Sequence, residues 1–259
     1  HGTGFIEEFA YSKEEVDLEY LHGFLADSLH TDMHECLGHG SGQLAEGVVG
    51  DELKSYGSTI EEARADLFAL YYMMDPKMVE LGLIPSLDVA KALYNDYIRN
   101  GLLTQMVRIE LGKNVEEAHM RNRKLIAEWC FEKGSSEQVM AYVVRDGKTY
   151  VVVNSYESLR RLFGELLREI QRIKSTGDYQ AAKQLVEGYG VKLDQELHKE
   201  ILERYKKLGL APYSGFINPT YKPVCENGEI VDVAIDYSEG YVEQMLRYSK
   251  EHSFLGIDG

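Results

Sequence analysis

Apolar residues return every three or four positions at about Lys13 to Leu37, Ile60 to Met74, Leu87 to Leu111, Val115 to Phe131, Tyr156 to Ile173, Tyr179 to Val186, Leu193 to Leu208 and Tyr241 to Tyr248. That period belongs to helices that bury one face, so helix is expected to dominate. Two short runs rich in β-branched residues, Val139 to Val144 and Thr149 to Val153, flank Asp146-Gly147, a pair suited to the positive φ angles of a tight hairpin turn. Asn227-Gly228 predicts a second hairpin, reached through an irregular segment marked by Pro212, Pro219 and Pro223. No linker-like stretch separates the helices. The pattern therefore predicts a mainly α fold, with residues 1–259 forming a single α-rich domain that carries one or two small β-hairpins.

Composition narrows the function classes. With 259 residues, 44% of them hydrophobic, the chain can bury a real core. Lys plus Arg number 28 against 43 Asp plus Glu, and a net charge of −15 argues against a nucleic-acid partner. Apolar runs such as Phe68 to Met74 fall far short of the about 20 residues that span a bilayer, so no membrane partner is expected. No secretory leader is read at the N-terminus. Cys36, Cys130 and Cys225 are few, odd in number and far apart, which predicts a reducing compartment and, Cys36 excepted, buried small fillers.

Candidate chemistry starts at His34-Glu35-Cys36-Leu37-Gly38-His39, which is the H-E-x-x-H zinc pattern with one residue inserted. In a regular helix, side chains four apart lie about 40° from each other around the axis, whereas five apart they diverge by about 140°. Both imidazoles reach one ion only if the helix widens locally. A π turn absorbs one extra residue, and Gly38 removes a side chain that would crowd it. Neutral imidazole suits zinc, and Glu35 sits beside the first histidine where it can act as general base on a water. His30 and His34, four apart on one face, form a rival pair that needs no widening; otherwise His30 becomes helix surface.

A catalytic zinc site takes three protein ligands, so a further acid or histidine is expected on a neighbouring helix. Glu61-Glu62-Ala63-Arg64-Ala65-Asp66 follows 22 residues after His39, behind a Gly-rich connection and a Ser58-Thr59 helix start. Glu62 and Asp66 share a face, so one can ligate while the other accepts a hydrogen bond from a ligand imidazole; Glu61 can serve the second histidine likewise. A capping box, Ser58 with Glu61 or Thr59 with Glu62, is the competing explanation of these acids. With the histidines upstream, Glu62 is the expected third ligand.

The pair H-E-C-L-G-H and E-E-A-R-A-D resembles the motifs of the dipeptidyl peptidase III family, whose zinc motif carries this inserted residue. Glu117-Ala118-His119-Met120 with Arg123, then Lys174-Ser175-Thr176-Gly177-Asp178 and Glu187-Gly188-Tyr189, are similar to further stretches of that family. The resemblance covers roughly residues 25 to 190. It implies His34, His39 and Glu62 as zinc ligands, Glu35 as catalytic base, Glu61 and Asp66 as hydrogen-bond partners of the ligands, His119 as a catalytic contact near the scissile bond, and Arg123 and Lys174 as substrate-binding groups.

It also implies a helical metallopeptidase lobe of a longer, two-lobed cytoplasmic exopeptidase that releases dipeptides from the N-terminus of oligopeptides. Its partners would be the oligopeptide substrate and an N-terminal lobe that is missing from this segment. The alternative is a zinc-binding helical module, catalytically idle without that lobe. Ala63 and Asp66 stand where the family commonly has Cys and Glu, and Cys36 stands where an apolar residue is common.

Overall fold

The computed structural model describes residues 4–210 and 217–253. In chain order these residues form α1 (Phe5–Phe9), α2 (Lys13–Met33), one π turn (His34–His39), α3 (Gly57–Met73), α4 (Pro76–Glu80), α5 (Asp88–Leu102), α6 (Ala118–Lys133), β1 (Met140–Arg145), β2 (Lys148–Val153), α7 (Tyr156–Thr176), α8 (Tyr179–Tyr189), α9 (Gln195–Leu208), β3 (Thr220–Glu226), β4 (Glu229–Asp236) and α10 (Tyr241–His252). Short 3-10 turns precede α3 and follow α5 and α6. The fold is mainly α with two small antiparallel hairpins, as the hydrophobic pattern predicts. No helix among the described residues is long and apolar enough to cross a membrane.

Residues 1–209 and 210–259 make up two compact units, a division after Gly209 that no composition shift announces. In the first unit α3 is the central element, packed against α7, the π turn, α6 and α2. Ile60, Leu67, Leu70 and Met73 are fully buried along it. Each such side chain contributes about 1.5–3 kcal/mol over leaving it in water, which fixes the helix that carries the acidic motif.

Several boundaries differ from the sequence expectation for local reasons. The periodic stretch Leu87 to Leu111 breaks at Leu103 (φ −129°, ψ −68°) and continues as a 3-10 turn, Thr104–Arg108. The buried His198 imidazole donates from Nε2 toward the carbonyl oxygens of Met106 and Ile109, 3.0 and 3.1 Å away, which favours the tighter turn. α6 starts at Ala118 because the Glu117 carboxylate accepts from the backbone N–H groups of His119 and Met120. α5 approaches α6 at Gly101, where a Cβ would stand 2.6 Å from the Arg123 carbonyl oxygen.

The first hairpin turns at Asp146-Gly147, both at positive φ, and pairs Met140 with Val153 through Arg145 with Lys148. The second unit holds the hairpin at Asn227-Gly228 and α10. There the buried Gln244 amide accepts from Asn218 N–H (2.8 Å) and donates to its carbonyl (2.6 Å). Of the prolines marking the irregular segment, Pro212 lies outside the described residues.

Candidate metal centre

α2 ends at Met33, and the following six residues, His34–His39, form the π turn that the inserted residue demands. The turn lies directly against α3. A Cβ on Gly38 would stand 2.7 Å from Ala65 Cα, so the neighbouring helix leaves room only for glycine there. The widened turn brings the two imidazoles together edge to face, centroids 4.6 Å apart.

The carboxylates of α3 complete the arrangement. The helix begins at Gly57 behind a 3-10 turn, and no side chain caps it, so the Ser58 and Thr59 capping boxes are not formed. Instead His34 Nδ1 bonds to Asp66 Oδ1 at 2.7 Å and His39 Nδ1 to Glu61 Oε1 at 2.8 Å. Because carboxylates only accept, each Nδ1 carries the proton, and each Nε2 lone pair is left free. Both Nε2 atoms face Glu62, whose Oε2 lies 3.2 Å from that of His34 and 3.8 Å from that of His39.

Glu62 Oε2 is buried and has no hydrogen-bond partner among the described residues. A bare anionic oxygen out of water is costly, and a cation shared with two nitrogen lone pairs removes that cost. The ligand atoms of His34, His39 and Glu62 all lie within 4.8 Å of one another. The donor set therefore fits a metal ion.

The supporting groups have strongly shifted acidities. Burial raises the Asp66 carboxyl, but hydrogen bonds from His34 and from the Tyr97 hydroxyl (2.7 Å), with the His30 imidazole nearby, bring it down to about 2. Asn122 Nδ2 also donates to it, at 3.1 Å. Burial likewise raises Glu61, while Arg64, Lys174 and His39 together lower it to about 2. The His34 imidazole is held above its ordinary value chiefly by its bond to Asp66.

Other expected residues fall at varied distances from this cluster. Glu35 is exposed and makes no hydrogen bond or ion pair among the described residues, leaving its carboxylate open to solvent at the π turn. His119, half-exposed in the first turn of α6, places Nδ1 3.3 Å from Glu62 Oε2. Arg123 lies one turn further along α6. Lys174 Nζ is in contact with Glu61 Oε2 and so is already paired with an acid. His30 is not helix surface: its Nε2 is buried, 3.5 Å from Asp66 Oδ1, and it lies outside the ligand cluster. Cys36 and Cys225 are exposed and only Cys130 is buried, which corrects the expectation for Cys225.

Sequence reasoning missed Arg64. Its buried guanidinium donates to Glu61, to Ser41 Oγ and, at 2.6 Å, to the carbonyl of Gly38, joining the two motifs. The only signal was a basic residue three positions after Glu61. Tyr97 and Asn122 reach Asp66 from α5 and α6, and nothing in their local sequence marks them.

A mainly α fold with a His-His-Glu cluster suited to a metal ion defines the class, a helical metalloprotein. The chain belongs to Peptidase family M49, whose family model matches residues 45–207, a stretch that includes Glu61, Glu62, Arg64 and Asp66. Dipeptidyl peptidase 3 of Mus musculus is 28% identical over 201 residues, covering 62% of this chain and 27% of the mouse protein. The Homo sapiens protein of that name is 27% identical over 229 residues, covering 73% and 30%. The structure of DPP III from Caldithrix abyssi superposes with a TM-score of 0.59 at 26% identity over 78% of this chain and 35% of its own. DPP III from Corallococcus sp. strain EGB, at 22% identity and a TM-score of 0.58, shares the fold. The chain thus spans less than a third of the length of these curated relatives.

Proposed function

We propose that the chain carries the zinc site of a cytoplasmic peptidase that releases dipeptides from the N-terminus of oligopeptides, with His34, His39 and Glu62 as ligands and Glu35 as general base. The observation that carries this reading is the bare Glu62 Oε2 facing two unprotonated Nε2 atoms. Two imidazoles and one carboxylate are a donor set of catalytic zinc. The dipeptide product is supported by the relatives named dipeptidyl peptidase 3.

Zinc bound there supplies a Lewis acid that acidifies water and polarises the scissile carbonyl. Glu35 takes the proton from the attacking water and delivers it to the leaving amine nitrogen. Asp66 and Glu61 hold the Nδ1 protons of His34 and His39, which keeps both rings in one tautomer and orientation. His119 offers an imidazole donor to the oxygen that gains charge, and Arg123 a guanidinium to a peptide carbonyl or carboxylate. Lys174 sits at the rim, where it steadies Glu61 and lies within reach of bound peptide. A second lobe, beyond the part of the family spanned here, supplies the facing wall of the cleft.

The test is turnover of a dipeptidyl arylamide by the whole M49 protein and by this segment, before and after chelation. The expected result is activity of the whole protein that chelation abolishes and zinc restores. A segment that binds zinc beside a whole protein that never cleaves would favour the idle module. Activity indifferent to chelation would sink the zinc reading.

A further inference from the structure

Asp66 of α3 is where four other elements meet. Its Oδ1 accepts from His34 Nδ1 on the π turn at 2.7 Å. Its Oδ2 accepts twice, from the Tyr97 hydroxyl of α5 at 2.7 Å and from Asn122 Nδ2 of α6 at 3.1 Å. On the remaining side stands His30 of α2, its buried Nε2 3.5 Å from Oδ1 without a hydrogen bond. Asp66, Tyr97 and Asn122 are all buried, so none of them can turn to water for a substitute partner.

The two bonds on Oδ2 decide where Oδ1 points. The terminal torsion of an aspartate is soft, so a bond from His34 alone would leave the carboxylate plane free to swing. Two donors held on separate helices fix that plane from behind. Oδ1 is then aimed at His34 Nδ1, which turns the Nε2 lone pair toward Glu62 Oε2, 3.2 Å away. The fold accepts a cost for this arrangement. Because a carboxylate only accepts, the Asn122 amide must present its nitrogen to Asp66, and its Oδ1 is left buried with no hydrogen-bond partner among the described residues. Packing alone would be served as well by an apolar side chain of similar size, without a stranded carbonyl. Asn122 also lies three residues beyond His119, so the same bond ties to Asp66 the helix that brings His119 Nδ1 to 3.3 Å from Glu62 Oε2.

We propose that Tyr97 and Asn122 are positioning residues of the metal centre, which lock the Asp66 carboxylate, and through it the His34 imidazole, in the orientation that a metal ion needs. Both act at one remove from the ligand. The assignment rests on the metal reading above and extends it to α5 and α6. Tyr94, three residues earlier on α5, supplies the contrast. Its hydroxyl, as deeply buried, donates at 2.7 Å to the carbonyl of Leu70 and so spends the same kind of bond on joining α5 to α3, away from Asp66.

The experiment measures zinc affinity by competition with a chromophoric chelator, and unfolding in urea, for the whole M49 protein and its Tyr97→Phe, Asn122→Ala and Tyr94→Phe variants. Tyr97→Phe and Asn122→Ala are expected to bind zinc about tenfold more weakly, the usual effect of losing an outer partner of a ligand. Tyr94→Phe should lower the urea midpoint and leave the affinity unchanged. In an Asp66→Ala background the first two substitutions should alter affinity by less than about twofold, because their route to His34 is gone. Histidine-selective 15N NMR of the metal-free protein gives a second reading: the His34 Nδ1 proton should exchange with water about tenfold faster in both variants, once its acceptor is loosened. Parent-like affinity in Tyr97→Phe and Asn122→Ala overturns the positioning role. So does a loss that Tyr94→Phe matches, or one that persists in the Asp66→Ala background. A parent protein that binds no zinc overturns the metal reading instead, and the His34 proton then decides whether these two residues hold the ring.

Discussion

Arg64 reaches from α3 to the carbonyl oxygen of Gly38, 2.6 Å from Nη2, and so ties the helix that carries Glu61 and Glu62 to the turn that carries both histidines. Its side chain is about 1% exposed, and the same guanidinium serves Glu61 and Ser41. Removing one partner of a buried ion pair strands the other, so Arg64→Ala is expected to cost about 3–5 kcal/mol. Lysine keeps the charge without the planar fork and should recover only part of the loss. Urea unfolding measures both; an alanine variant as stable as the parent would show that Arg64 does not hold the motifs together.

Glu35 and Glu62 are adjacent in purpose but separable in experiment. Glu35 makes no hydrogen bond or ion pair among the described residues and acts on His34 only through its charge, whereas Glu62 supplies one of the three ligand atoms. Glu35→Gln is therefore expected to bind zinc at the parent stoichiometry while turnover falls by about 10²–10⁴, the usual worth of a positioned general base. Glu62→Ala should lose zinc on dialysis. Elemental analysis beside an arylamide assay distinguishes them, and an active, zinc-loaded Glu35→Gln protein would remove Glu35 from the mechanism.

How much of this centre is legible in the sequence depends on how local each cause is. The π turn can be read from His34-Glu35-Cys36-Leu37-Gly38-His39 because one inserted residue leaves the helix no other way to align two imidazoles. The bonds from Asp66 to His34 and from Glu61 to His39 follow from acids placed one turn apart on the next helix. Tyr97 and Asn122 reach Asp66 only because Gly101 lets α5 and α6 pack closely, a contact between distant segments that no local pattern encodes. The break after Leu102 is hidden similarly, since His198, which bonds the carbonyls beyond it, comes from α9.

Gly38 faces α3 with no room for a side chain, since a Cβ there would lie 2.7 Å from Ala65 Cα and 3.0 Å from Ala65 O. Backbone cannot rotate aside as a side chain can, so the π turn itself must shift. Gly38→Ala is expected to cost about 1–3 kcal/mol through overpacking. Moving His39 relative to His34 should also weaken zinc binding, whereas Gly188→Ala, on α8 where the backbone is not at positive φ and a Cβ meets nothing within 4 Å, serves as a control for the metal. Competition with a chromophoric chelator reads the affinity. Parent-like affinity in Gly38→Ala would mean that the turn tolerates the displacement.

Glu19 on α2 should make stability fall as pH rises. Burial, reinforced by Asp96 and Asp27 and opposed by Arg99 at 3.8 Å, pushes its carboxyl from the ordinary 4.5 up to about 7. Between those values the folded protein keeps a proton that the unfolded chain has released, so the contribution is complete below about 4.5 and is lost by about 7. Discounted for its residual contact with solvent, the loss is about 2 kcal/mol. Glu19→Gln carries no charge to desolvate. Its urea midpoint should match the parent near pH 5 or exceed it slightly, and should exceed it clearly near pH 8. If parent and variant lose stability with the same slope between those two pH values, another group causes the fall and Glu19 is ionised in the fold without penalty.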